Sequence, residues 1–472
     1  NAYRLRPINA LGGGSVNFLP TNPRPGSSPV VGGSVRVVGM NLLNFFNTFA
    51  DGNASTPGCY PSGADSDCRG ANSAAEFTRQ YQKTVAAILA LNPDVVGVNE
   101  LENDGYGAAS ALRFLVDQLN AATAPGTYAF IDVDAATGQA NVMGTDAIRV
   151  ALLYKPLKVT PVGQTAVLNS VDFVNAGDGF PRNRPSLAQA FRVNATDAVF
   201  IVDVNHLKSK GSACDLPDAG DGQGNCNQVR VAAAATLMNW LASDPTGTGD
   251  PDILLVGDYN AYAMEDPITL IKNAGFTNLV ESFLGPDAYS YVFDGQWGYL
   301  DQALGSASLV PQVSGVADYH INADEPSALD YNTEFKTPGQ VASFFAPDAF
   351  RVSDHDPVII GLNPPAPFVF TYGGFALNRA TGRWVQNVTI RNNGSTTATG
   401  PISFVLASLS SNATLHASAG TTAVFYPGSP YKNLSLASLA PGASASITLE
   451  FTKTGAAAIT YVGHATASAG PR

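Results

Sequence analysis

The chain has 472 residues, of which 45% are hydrophobic, and it carries 26 Lys and Arg against 38 Asp and Glu. That length exceeds what one hydrophobic core serves, about 250–300 residues, and the composition excludes a disordered or collagen-like chain. A net charge of −12 excludes a general basic footprint for nucleic acid, and no apolar run approaches the ~18 residues of a membrane span.

The charge is uneven. Residues 1–364 hold 20 Lys and Arg against 37 Asp and Glu, whereas residues 365–472 hold six Lys and Arg and a single acid, Glu450. An acidic protein still handles phosphates when a bound cation supplies positive charge. Because the sequence opens on Asn1 rather than Met, we expect that a targeting segment and further chain have been removed.

In chain order, residues 1–33 are rich in Gly, Pro and Asn and read as a linker from a preceding domain. The β-branched run Val35 to Met40 predicts a strand, delivering Asn41. Cys59 and Cys68 follow in a Gly/Asp-rich loop. Ser73 to Glu76 matches a capping box, and Phe77, Tyr81, Val85, Ile88 and Leu89 recur at helical spacing until Pro93. Asp94 to Asn99 predicts a second buried strand with Glu100 at its end. A helix is expected over 108–119 and strands over 128–132 and 148–154.

Arg182 and Arg184 precede a strand over 187–193; arginine is the best fork for a phosphate. Ala198 to Val204 is strongly β and ends in Asn205-His206-Leu207-Lys208-Ser209-Lys210. Cys214 and Cys226 lie in the next loop, before a helix over 228–241. Asp252 to Val256 is another buried strand, ending in Gly257-Asp258-Tyr259-Asn260, and Asp301 precedes the strand-like Ala303-Leu304. A long loop containing His320, which has no assigned role, leads to Arg351-Val352-Ser353-Asp354-His355-Asp356-Pro357, directly before the apolar Val358-Ile359-Ile360. Neither cysteine pair has C-x-x-C spacing or a nearby His cluster, so two local disulfides are expected rather than zinc, as in an exported protein. Beyond a Pro-rich linker at 363–367, short alternating runs predict a β-sandwich of about 100 residues without visible chemistry.

Asn41, Glu100, His206, Asp258, Asn260, Asp301, Asp354 and His355 share one property: each lies at or near an end of a predicted strand. A sheet collects such ends along one edge. Asn with several carboxylates suits Mg²⁺ or Mn²⁺, and two His add acid–base groups, the outfit for metal-assisted phosphoester hydrolysis.

The order Asn41, Glu100 in Asn-Glu-Leu, His206, Gly257-Asp258-Tyr259-Asn260, Asp301 and Ser353-Asp354-His355-Asp356-Pro357 resembles the endonuclease/exonuclease/phosphatase superfamily, the deoxyribonuclease-I-like fold, over about residues 34–362. Asn41 to Phe46, Asn205 to Lys210 and His320 to Glu325 look similar to bacterial secreted extracellular nucleases. The resemblance implies an α/β protein with a four-layer α/β sandwich as catalytic domain over 34–363, followed by the small C-terminal β-sandwich domain, Ig-like, over 364–472. It implies that Glu100, Asn41 and Asp354 hold a divalent cation, Mg or Mn before Ca. It implies that Asp258 activates water beside Asn260, that His206 and His355 contact the scissile phosphate with Asp301 fixing His355, and that Arg184 reaches the phosphate. Lys208 and Lys210 are expected to bind neighbouring phosphates of a nucleic acid substrate, DNA before RNA. The expected function is a secreted or extracellular metal-dependent nuclease, with the C-terminal domain binding a surface or another domain. The alternatives are a phosphomonoesterase or lipid phosphodiesterase of the same superfamily, or a surface binding protein on an inactive scaffold.

Overall fold

The computed structural model describes residues 23–50, 57–394, 396–423 and 425–467. Two compact units emerge, Asn1–Asn194 with Val199–Pro364, and Ala195–Ala198 with Pro365–Arg472. Residues 1–22 of the expected linker lie outside the described residues. The part that is described, 23–33, is not free. Arg24 pairs with Glu325 at 2.5 Å and lies over the Phe350 ring, and Val31 is buried.

The strands of the first unit are Val35–Phe45 (β1), Val95–Glu102 (β2), Ala129–Phe130 (β3), Ile148–Tyr154 (β4), Val159–Leu168 (β5), Ser186–Val193 (β6), Val199–His206 (β7), Ile253–Asp258 (β8), Phe276–Asn278 (β9), Tyr291–Phe293 (β10), Gln296–Gly298 (β11), Asp301–Ser306 (β12), Val313–Asp318 (β13) and Val358–Leu362 (β14). One sheet runs β13-β14-β1-β2-β4-β3 and the other β5-β6-β7-β8-β12-β9. Each has one parallel pair at its centre, β1 with β2 and β7 with β8, and antiparallel flanks. A helix crosses over within each parallel pair, Ala74–Leu91 in the first and Asn227–Leu241 in the second, as parallel pairing requires.

Strand alternation builds the layers. Val38 and Met40 of β1 and Val96 and Val98 of β2 cluster with Ile88, Leu91 and Leu115 on the helix side. The residues between them face the other sheet. A Cβ on Gly97 would stand 2.6 Å from a Val204 methyl and 3.0 Å from one of Val256, so glycine there sets how closely the sheets approach. Leu255 and Leu304 face Ala233 and Leu237 on the outer side of the second sheet. The result is four layers, helices outside and two sheets face to face.

The helix Ala74–Leu91 starts at the expected cap, Ser73, but the Glu76 carboxylate bonds the residue before the cap rather than Ser73 itself. The Ser73 hydroxyl accepts from the Glu76 N–H, and the Glu76 carboxylate accepts from the Asn72 N–H at 2.9 Å. Other elements differ from expectation. The helix expected over 108–119 runs Ala111–Ala122, because Ser110 caps it. The strand expected over 128–132 shrinks to β3, because Asp132 caps the short helix Val133–Thr137. The edge strand β5 carries Pro161 and Gly163 beside a break in its register, which hid it from the apolar pattern. Cys59–Cys68 and Cys214–Cys226 are both disulfide-bonded.

In the second unit, Arg383–Asn392 pairs antiparallel with Ser444–Lys453, from Trp384 opposite Phe451 to Arg391 opposite Ser444. A second sheet is built on Ile402–Ala407. Val388, Ile390, Phe404, Leu406, Leu449 and Phe451 form the core.

Gly257 is the tightest point beneath the edge where the strands end. Its φ is +127° and an added Cβ would meet the Asn205 carbonyl oxygen at 2.1 Å, backbone against backbone. Gly257→Ala should therefore cost roughly 3 kcal/mol or more in denaturant unfolding. Unchanged stability would contradict this account of how β7 and β8 meet.

Candidate active site

Strand direction gathers the polar residues. β1, β2, β7 and β8 run parallel within their pairs and end on one edge of their sheets, while the antiparallel β12 and β14 begin there. Register makes the match specific: His206 and Asp301 are both direct cross-strand partners of Asp258, on either side of it. Val358, first in β14, pairs with Gly39 of β1, so the loop 351–357 hangs beside Asn41.

The backbone is strained where function is expected. Glu100 has φ +59°, at an irregularity in the pairing of β2 with both neighbours. Asn260 has φ +49° and Arg351 φ +56°. Such conformations cost about 1–3 kcal/mol each in non-glycine residues and persist only when surroundings impose them. Here the Glu100 carboxylate accepts from the Asn44 N–H at 3.0 Å, and the Asn260 N–H donates to Asp258 Oδ1 at 2.8 Å.

Four carboxylates and two imidazoles converge. His355 Nδ1 lies 2.7 Å from Asp301 Oδ2, which also accepts from the Ser290 hydroxyl at 2.6 Å. Asp258 Oδ2 stands 3.6 Å from His206 Nε2 and 4.0 Å from His355 Nε2. Tyr291 packs its ring 4.5 Å from that of His355. His206, Asp258, Asp301 and His355 are all buried, and Glu100 and Asp354 are half-buried.

The two histidines are driven apart in charge. Burial lowers His206 well below the ordinary histidine value, and the neighbouring Arg184, His355, Arg69 and Lys208 cations lower it further, so it is neutral. Burial also opposes charge on His355, but Asp301, Asp258 and Asp354 outweigh it and hold its pKa well above 6.5. Burial and then the Asp354 charge push Glu100 upward. Burial likewise raises Asp258, with His355 opposing and Asp301 and Glu100 reinforcing it.

A cation fits this arrangement. Ligand atoms of Glu100, His206 and Asp258 all lie within 4.8 Å of one another, the one such cluster among the described residues. Both carboxylates are held in surroundings that penalise their charge and His206 is neutral, so the cluster favours a divalent cation beside Glu100. Asn41, expected as a ligand, stands at this edge with its oxygen engaged by its own loop and by Ser353. Its Oδ1 accepts from the Leu43 N–H at 2.8 Å and the Ser353 hydroxyl at 3.3 Å. Its NH₂ is buried outside hydrogen-bond geometry, yet near enough to favour the charged form of Glu100.

The cations divide. Arg184 is buried, donates its N–H to the His206 carbonyl at 3.2 Å and pairs with Asp146 at 3.1 Å, while Arg182 turns away to Asp178 at 2.9 Å. Lys208 donates to Ser209 and Ser212, and burial followed by Arg184, Arg182 and Arg230 brings its pKa down to about 8. Lys210 is not brought to the site. Its ammonium is held by Glu265 at 2.5 and 2.6 Å and by the Gln223 carbonyl at 2.6 Å.

Sequence reasoning missed the support under loop 351–357. Asn322 Oδ1 accepts from the Val352 and Ser353 N–H groups at 2.9 and 3.3 Å, and its NH₂ donates to the His355 carbonyl at 2.6 Å. Asp356 Oδ1 accepts from the N–H groups of Ile321, Asn322 and Ala323 at 3.0, 2.7 and 3.0 Å. His320, given no role from sequence, lies 2.9 Å from Asp356 Oδ2 and is stacked on Tyr289 at 4.1 Å. The His320-Ile321-Asn322-Ala323-Asp324-Glu325 run was the available signal. Its function is to template the loop that carries Asp354 and His355.

Because His355 binds its proton more tightly folded than unfolded, it stabilises the fold below about pH 6.5, and that contribution is lost as pH rises through its raised folded value. Asp301→Asn removes the strongest of the charges that raise it. In metal-free protein followed by NMR, the His355 pKa should fall in this variant. An unchanged titration would show that Asp301 does not hold the proton.

The family profile of the Endonuclease/Exonuclease/phosphatase family matches residues 46–355. No curated protein matches the chain. Among solved structures, an endonuclease/exonuclease/phosphatase family protein from Bacteroides thetaiotaomicron is 15% identical, covering 69% of this chain and 96% of its own, with a TM-score of 0.41. The human Nocturnin catalytic domain is 15% identical over 70% of this chain and 95% of its own, TM-score 0.39. An endonuclease/exonuclease/phosphatase from Beutenbergia cavernae is 14% identical over 91% of this chain and 99% of its own, TM-score 0.39. With the matched profile spanning most of the chain and ending on His355 itself, the protein belongs to the endonuclease/exonuclease/phosphatase family.

Proposed function

We propose that the protein is an exported, divalent-metal-dependent phosphodiesterase that cleaves nucleic acid, DNA before RNA. The observation that carries this reading is the two-sided polarity about His206. In the sheet, Asp258 and then Asp301 flank it through β8 and β12, whereas Arg184 stands just before β6 on its other flank with its N–H on the His206 carbonyl at 3.2 Å, and Lys208 follows it in the chain. A phosphodiester anion fits between a cation held by the first set and the fixed charges of the second.

Glu100 would anchor a Mg²⁺ or Mn²⁺ ion, with Asp354 as a second carboxylate and Ca²⁺ as the third candidate. Bound there, the ion would polarise a phosphoryl oxygen. The chain's own groups do the rest. Asn41 would join Glu100 at the ion, and its oxygen also pins the Leu43 backbone. Asp258, whose proton affinity is raised by burial, accepts the proton of the attacking water, and the adjoining Asn260 orients that water. His355, kept protonated by Asp301, donates to the phosphate as charge builds on it. Neutral His206 offers a hydrogen-bonding nitrogen without repelling the ion, and Arg184 backs it. The two disulfides suit an oxidising compartment, and no helix among the described residues is long and apolar enough to cross a membrane.

A diester carries less charge than a monoester, and the fixed cations here are few. On bis(p-nitrophenyl) phosphate with Mg²⁺ or Mn²⁺, kcat/KM should exceed that on p-nitrophenyl phosphate by about 10²-fold or more. Glu100→Gln should lower diester hydrolysis by about 10³-fold with circular dichroism unchanged, as should excess EDTA on the unaltered protein. Full activity in EDTA would remove the metal role, and preference for the monoester would make the protein a phosphatase.

A further inference from the structure

Arg69 belongs to no strand and was not among the residues expected at the site. It follows Cys68, whose disulfide to Cys59 closes a loop of the first unit. That loop is clamped at two points onto the segment before β4. Cys59 is buried with Phe46, Ala147 and Ile148, and the Tyr60 hydroxyl donates to the Gly144 carbonyl at 3.2 Å. The clamp brings the Arg69 guanidinium 2.8 Å from Asp146 Oδ1, while Arg184 Nε lies 3.1 Å from the other oxygen of the same carboxylate. Two arginines thus share one acid, in a unit whose acids far outnumber its bases.

The pair is not saturated. Arg184 is buried, and while its Nε pairs with Asp146, its Nη1 has no acceptor in hydrogen-bonding geometry. Arg69 stays exposed, 41% for its side chain. Beside them opens a cavity of about 480 Å³, walled by Arg69, Asp146, Asn141, Thr145, Asn169 and Asn175. Asp67 also lines it, but its Oδ2 accepts from the Ser62 N–H. The volume is within the range of sites that enclose small organic groups. Arg184 donates its backbone N–H to the His206 carbonyl at 3.2 Å, and Asn183, which also lines the cavity, accepts from the Lys208 N–H at 2.8 Å, so the cavity adjoins the reaction centre.

We propose that Arg69 and Arg184, bridged by Asp146, form a second phosphate subsite beside the reaction centre, and that the adjoining amide-lined cavity receives the nucleoside attached to that phosphate. This rests on the nuclease reading of the same site. It makes Arg69 a residue that selects a polymeric diester over a small one. The Cys59–Cys68 bridge helps to hold it in place, together with hydrogen bonds inside the loop such as that from the Ser62 N–H to Asp67 Oδ2.

The test is fluorescence anisotropy of a labelled single-stranded DNA 12-mer with the full chain in EDTA, across a salt series. Arg69→Gln should weaken binding by about fivefold to tenfold near 100 mM salt and flatten the log–log salt slope by about 0.7. Arg69→Lys, which keeps the charge, should retain the slope. Lys158→Gln makes the same charge change at the opposite edge of the sheets, where β4 ends beside the start of β2, and should change neither quantity. If Arg69→Gln binds as wild type does, if Lys158→Gln weakens binding equally, or if wild type does not bind the 12-mer, the subsite is refuted. Failure of the wild type to hydrolyse bis(p-nitrophenyl) phosphate with Mg²⁺ or Mn²⁺ would instead refute the function on which it rests.

Discussion

Mutual repulsion among buried carboxylates is the constraint on which the rest of this structure turns. Register alone places Asp301 directly opposite Asp258 and His206 on its other side, and the bulged end of β2 adds Glu100. Charges so placed raise each other's proton affinity, and burial adds to this. Three responses are visible. Asp301 takes a proton-bearing histidine as partner, Glu100 accepts a backbone N–H from Asn44, and Asp258 accepts one from Asn260. What remains uncompensated is the demand for a cation.

That demand explains why polar support is concentrated beneath the edge. Asp203, fully buried in β7, accepts from the Ser186 hydroxyl and the Asn205 NH₂, both at 2.6 Å. Asn205 also donates to Tyr259, and its carbonyl accepts from Asn99 of the facing sheet at 2.7 Å. Burial raises Asp203 to about 7, with both hydrogen bonds opposing. This network ties the two sheets together one residue before His206. Asn322 and Asp356 do the same for the loop of Asp354 and His355, through backbone N–H and C=O groups that tolerate little displacement. The site is therefore held from both sheets and from the segment that carries Asn322.

Much of this was legible in the sequence because it rests on strand ends. A β-branched run predicts a buried strand, and a polar residue directly after it has to lie at the edge, so Asn41, Glu100, His206, Asp258 and Asp301 could be placed by pattern alone. Residues whose position depends on distant partners could not. Lys210 follows His206 closely and reads as a free phosphate ligand, but Glu265, 55 residues on, captures it. Asn322 looks like any loop asparagine until loop 351–357 folds over it. Arg69 reads as a surface cation, since nothing in sequence joins it to Asp146 and Arg184. The bond from the Leu43 N–H to the Asn41 oxygen is likewise beyond the sequence pattern, since it is a matter of local backbone path.

The central claim, that the carboxylate edge exists to hold one divalent cation, is tested most directly by anomalous diffraction from crystals of the protein soaked in Mn²⁺. The account predicts a single strong peak within coordinating distance of the Glu100 carboxylate, about 2.0–2.3 Å, on the side facing Asp258 and His206. A clean map with no peak at Glu100, or manganese bound only elsewhere, would contradict it.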